Sequence, residues 1–194
     1  MVITYLGDGS FRLQSGSSGC LIDPKSARLK ANLVLRTSTA VNDWISHPRG
    51  AGKQEGEIAF PGEYELEGWE VQGFPVAAES DSKVAKTVYL VRREEMSFVF
   101  LGQVSGVLAA QIMEKLGESD VLFMPLDHDR LLPDAALKIL KQLSPYLVIL
   151  NDSPGASSII KAMGRKEEPQ DKLVLKRRDL AGERGRIAVL KAAT

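Results

Sequence analysis

Up to Phe74 the apolar residues come in short runs separated by turn-forming residues, and this punctuation limits what the chain can build. VITYL, SFRLQ, GCLID and NLVLR, then EIAF, EYELEG and WEVQGF, are each too short for a self-supporting helix and are bounded by Gly, Ser, Asp or Pro. They read as strands. QSGSSGC, from Gln14 to Cys20, has the glycines of a phosphate-cradling loop, but no helical pattern follows it, and that geometry needs a helix N-terminus. It reads as a hairpin turn.

From Lys86 the period changes. KTVYLVRR and MSFVFLG read as paired strands, and SGVLAAQIMEKLGE carries apolar residues at helical spacing with Gly117 placed to end it. Strand DVLFMPL, helix LPDAALKILKQLS, strand YLVILND and helix PGASSIIKAMG follow. DKLVLKRRDL and GRIAVLKA read as a last pair of strands. Strands alternating with helices predict a layered sandwich, sheets inside and helices outside. The length of 194 residues fits one large domain over residues 1–194.

Composition narrows the partners. The 25 basic and 25 acidic side chains cancel, so no long-range field draws nucleic acid or an anionic membrane. The basic stretch KLVLKRRDL alternates apolar and charged residues and reads as a strand with one wet face. Cys20 is the only cysteine, so no intramolecular disulfide can form, and a reducing cytoplasm is the expected location. The start MVITYLGDGSF lacks the features of a signal peptide, and no apolar run reaches the roughly 20 residues of a membrane span.

Thr39, Ala40, Gln103, Asp127 and Asp152 all follow expected strands. Loops leaving the same strand ends converge on one crevice, which is where open α/β sheets bind ligands.

The order VITYLGDGSFRL, CLIDP, NLVLRTSTAVND, FPGEYELEGWEVQGFP, FVFLGQVSG, SDVLFMPLD, SPYLVILND and EPQDKLVLKRRDL resembles the metallo-β-lactamase fold over nearly the whole chain. The similarity is to its compact branch, near the ascorbate-6-phosphate lactonase group. The resemblance implies a four-layer αββα sandwich. In that family the loop after the fourth strand reads T-H-x-H-x-D-H, and its imidazoles and carboxylate hold a metal pair that deprotonates a bridging water. With Thr37 on the family's threonine, the resemblance puts Ser38, Ala40, Asn42 and Asp43 where His, His, Asp and His would stand. It also implies Ala78 for a later histidine, Gln103 for the bridging aspartate, Asp152 or Asn151 for the last histidine, and Asp8 for an early one. Asp23 and Pro24 of LIDP and the stretch PGEYE from Pro61 to Glu65 remain as scaffold.

A donor census agrees with this substitution. His47, His128 and Cys20 are the only imidazole and thiol groups in the sequence. A catalytic zinc takes three protein ligands rich in imidazole, so zinc is disfavoured and no cofactor is the first expectation. A carboxylate-rich site for Mg²⁺ or Mn²⁺, drawn from Asp8, Asp43, Asp127 and Asp152 with Asp43 and Asp152 as its core, is the alternative. His128 beside Asp127 is the catalytic candidate, as a general base with an orienting carboxylate. His47 reads as an exposed loop residue, Cys20 as a small apolar filler, and Trp44 and Trp69 as core or interface residues.

Two functions follow. In the first, the chain is a metal-free binding or interaction protein. Its crevice is lined by Asp8, Ser38, Thr39, Asn42, Asp43, Gln103 and Asp152, with Asn151 and Ser153 nearby; it takes a small polar ligand, and self-association into a homo-oligomer accompanies it. In the second, the chain is a metal-dependent hydrolase of a phosphodiester or lactone.

Overall fold

The computed structural model describes residues 1–26, 28–46, 55–117, 119–126 and 131–193. The early runs form β1 (Val2–Gly7), β2 (Ser10–Ser15), β3 (Ser18–Ile22), β4 (Leu33–Leu35), β5 (Ser38–Ala40) and β6 (Glu57–Ile58). Then come β7 (Gly62–Leu66), β8 (Trp69–Pro75), β9 (Val84–Arg93), β10 (Met96–Phe100), β11 (Val121–Met124), β12 (Leu147–Asn151), β13 (Leu173–Val174) and β14 (Arg186–Leu190). They make two mixed sheets, ordered β13-β1-β2-β3-β4-β6 and β14-β12-β11-β10-β9-β8-β7, with β5 paired to β9. The β2–β3 connection is the expected hairpin, and Gly16 at φ +56° supplies its left-handed residue.

Alternation along the strands sorts the side chains. Ile3, Tyr5, Phe11, Leu13 and Cys20 of the first sheet meet Trp69, Val91, Phe98, Phe100 and Phe123 of the second in one dry layer. Phe11 meets Phe123 edge-on at 5.1 Å between ring centroids, and Phe123 stacks on Phe100 at 4.4 Å, so three strands from two sheets share one aromatic contact. The indole N–H of buried Trp69 donates to Ser18 Oγ at 2.8 Å and crosses the same layer.

β11 and β12 are parallel and apolar on both faces, which requires a second covering layer. It is formed by α2 (Ala110–Leu116), α3 (Pro133–Leu143) and α4 (Pro154–Ala162), which close over Val88, Leu90, Val99, Leu122, Val148 and Leu150. In α3 the buried Ala136, Ile139, Leu140 and Leu143 fall at helical spacing. The result is the α/β sandwich expected from the sequence. Among the described residues no helix is long and apolar enough to cross a membrane.

Three local expectations are corrected. The tail strands are not a pair: β13 lies beside β1 in the first sheet, whereas β14 lies parallel to β12 in the second. Most of KLVLKRRDL is not strand, because Arg177–Leu180 forms a 3₁₀ turn between the two sheets, with Leu180 buried and Arg177 paired to Asp120 at 2.6 Å. Finally, α2 starts at Ala110 rather than near Ser105, since the amides of Ser105 and Gly106 are taken by a carboxylate from elsewhere, Glu79.

Candidate functional site

The site loops are anchored at Asp23. This residue leaves β3 with φ +45° and buries its carboxylate, which accepts the Thr37 N–H at 2.8 Å and the Thr37 hydroxyl. A buried carboxylate is tolerated only when its lone pairs are taken, and here they fix the residue at the root of the next loop. Thr37 in turn accepts the Thr87 N–H at 2.9 Å. Gly102, at φ +61°, lies flat against the Thr37 side chain, where a Cβ would overlap it. The segments after β3, β4 and β10 are thereby pinned together.

Beyond Thr37 the sequence led us to expect an open loop, and the structure instead has β5. Its register is Ser38 opposite Lys86, Thr39 opposite Ala85 and Ala40 opposite Val84. The cause is the length of β9, whose first residues run past β10 and need a partner for their backbone groups. Directly opposed residues share a face, so Ser38 and Ala40 project on the side of Lys86. Thr39 projects the other way and its hydroxyl donates to the Ala59 carbonyl at 2.9 Å. It serves the backbone and does not line the crevice face. α1 (Val41–Ser46) follows, with Asn42 exposed and Asp43 half-buried.

On the Ser38 face lies a charge pair that the sequence reading missed. Lys86 Nζ donates to Glu79 Oε2 and to the Gln103 carbonyl, both at 2.8 Å. Glu79 also accepts the amides of Ser105 and Gly106 at 2.8–3.0 Å and the Ser105 hydroxyl at 3.0 Å. The two side chains are only 22% and 16% exposed. Burial pushes the Glu79 carboxyl upward, but the Lys86 ammonium and the Ser105 and Gly106 donors outweigh it and hold the pKa below the ordinary carboxylate value. Glu79 directly follows Ala78, already a position of interest, but a lone Glu and a lone Lys seven positions apart carry no recognisable spacing.

The other expected residues scatter. Asp8 is exposed in the β1–β2 turn at φ +49°, and Asp152 is exposed beyond β12, its amide donating to Leu190 at 2.9 Å. Gln103 is half-buried, and its main-chain oxygen is the one that meets Lys86. Asn151 is buried and accepts the Leu126 amide at 2.7 Å, while Ser153 donates to the Leu126 carbonyl at 2.6 Å and caps α4. Both side chains are engaged with the backbone of Leu126. Asp127, His128 and His47 lie outside the described residues. Cys20 is fully buried, and burial pushes its thiol far up, so it is no nucleophile.

These positions do not fit the metal pair of the family's site. Among the described residues, His, Cys, Asp and Glu nowhere gather in threes as a metal site requires, and Asp8, Asp43 and Asp152 do not assemble the carboxylate cluster expected for Mg²⁺ or Mn²⁺. Ser38 offers a neutral hydroxyl, Ala40 and Ala78 offer nothing, and a fixed ammonium on the same face opposes a divalent cation.

Beside the Gln103 loop opens a groove of about 560 Å³, lined by Ser105, Gly106, Val107, Leu132, Pro133 and Lys138. Its walls mix apolar side chains with the Lys138 ammonium and the Asp134 carboxylate.

Comparison with known proteins accounts for the architecture. No curated protein matches the chain by sequence. Among solved structures, a candidate Zn-dependent hydrolase of the metallo-β-lactamase superfamily from Thermotoga maritima superposes with a TM-score of 0.75 at 20% identity, covering 98% of each chain. The metallo hydrolase Igni18 from Ignicoccus hospitalis gives 0.61 at 19% identity, covering 90% of this chain and 99% of its own. A candidate metal-dependent hydrolase from Parabacteroides distasonis gives 0.62 at 13%, covering 84% and 89%. At such identities the likeness is one of fold. The family profile described as beta-lactamase superfamily domain matches residues 2–150, and the chain therefore belongs to the β-lactamase superfamily, in its metallo-β-lactamase fold.

Proposed function

We propose that this chain is a metal-free member of its superfamily that binds a small polar ligand and performs no metal-dependent hydrolysis. The observation that carries the reading is the pairing of Ser38 and Ala40, the positions that the family resemblance matches to metal ligands, with Lys86 and Val84, which presents a hydroxyl and a methyl group beside an ammonium and an isopropyl group. Fold similarity does not transfer activity, because activity belongs to the side chains of the site. Ser38 and the Gln103 side chain supply neutral hydrogen-bonding groups, and the groove beside Ser105 adds apolar walls with Asp134 and Lys138 at its side, a combination suited to holding a small polar molecule.

The second reading is a metal-dependent hydrolase of a phosphodiester or lactone with Asp43 and Asp152 as its carboxylates, and it draws on the structural neighbours, which are themselves described as metal-dependent hydrolases. Elemental analysis of the purified protein after dialysis against mixed Zn²⁺ and Mn²⁺ separates the two. The metal-free reading expects well under one equivalent of either ion. About one equivalent or more, lost in Asp43→Ala or Asp152→Ala, would establish the hydrolase reading instead.

A further inference from the structure

We infer that the Lys86 ammonium replaces the missing metal as the tie that holds the site loops together. The inference rests on the metal-free reading and extends it to a specific internal cation.

A metal ion in such a site does structural work as well as chemistry, because one compact charge draws ligands from several loops to a common point. Lys86 has the reach and the contacts to do the same. Its side chain leaves β9 on the face shared with Ser38 and Ala40. Its ammonium meets the Gln103 carbonyl after β10 and the carboxylate of Glu79, on the 3₁₀ turn Ala77–Glu79 that contains Ala78. Glu79 passes the tie on to Ser105 and Gly106.

The backbone of Lys86 is bound just as closely. Its amide donates to Ser80 Oγ at 2.9 Å, and its carbonyl accepts the Val76 N–H at 2.9 Å. One residue thus joins β5, the 76–80 segment and the 103–106 loop, which carry the positions matched to metal ligands at Ser38, Ala40, Ala78 and Gln103. A charged donor with two strong acceptors in a largely buried setting is a durable bond. It also makes the crevice independent of ion supply.

The test is amide hydrogen exchange read at Ser105 and Gly106, whose N–H groups end on Glu79. In Lys86→Met, protection at these two amides should fall by about tenfold or more, in line with loss of a charged hydrogen bond, while the amides of β11 and β12 keep theirs. Lys86→Arg, which restores the charge, should recover most of the protection. Excess Zn²⁺ or a chelator should leave the wild-type pattern unchanged.

Should Lys86→Met not fold, amine acylation of the wild-type protein gives a second reading. Lys86 should react about tenfold more slowly than exposed lysines such as Lys172, and Glu79→Gln should remove the difference. Unchanged protection in Lys86→Met, or ordinary Lys86 reactivity in the wild type, overturns the tie and leaves the ligand-binding reading standing. Stoichiometric zinc on the wild type that raises protection at Ser105 and Gly106 overturns both.

Discussion

Asp23 and Thr37, fourteen positions apart, are joined twice, once through the Thr37 amide and once through its hydroxyl, and this pair of hydrogen bonds sets where the site loop begins. Asp23→Ala would leave two buried donors without an acceptor and should cost about 3 kcal/mol. Thr37→Val, which removes only the hydroxyl, should cost about 2 kcal/mol. Urea unfolding of both variants and of the double variant checks this, and the double variant should lose less than the sum.

Gly102 meets the same threonine from the other side. Gly102→Ala would force a side chain both into a left-handed backbone conformation and into Thr37, so it should destabilise by about 3 kcal/mol. Adding Thr37→Gly, which removes the Cβ that Gly102 meets as well as the rest of the side chain, should relieve the overlap but not the backbone strain. A double-mutant cycle showing no coupling would contradict this packing.

Glu79 makes stability depend on acid in a predictable direction. Its carboxyl is held below the ordinary value of 4.5, so the unfolded chain takes up the proton first as pH falls. The contribution is complete above that value and is lost as pH drops through the lower folded pKa. Melting curves between about pH 6 and pH 3 should show a steeper fall for the wild type than for Glu79→Gln.

Cys20 offers a probe of global opening. Its buried position and raised pKa predict no reaction with a disulfide reagent in the native state, and labelling should proceed only as fast as unfolding exposes the strand. The labelling rate should rise with urea in parallel with the unfolded fraction.

Strand existence was legible wherever short apolar runs met turn residues, as in the β2–β3 hairpin and in β11 and β12, and α3 was legible from its helical spacing. What could not be read was partnership between distant strands. β13 and β14 look alike as apolar runs, yet they close different sheets, since neighbours in a sheet are chosen by three-dimensional packing. β5 was hidden for a related reason: its strand character comes from the overhang of β9 and not from its own polar residues. The scarcity of imidazole and thiol side chains was visible in the sequence, whereas the Lys86–Glu79 pair needed the fold to bring it together.

The placement of β13 and β14 also bears on how the chain is made. The family profile ends at residue 150, but one edge strand of each sheet comes from residues 173–190, synthesised after every other strand. Until those last segments emerge, the nascent polypeptide carries two open β borders, at β1 and at β12, and both call for shielding from neighbouring chains during translation.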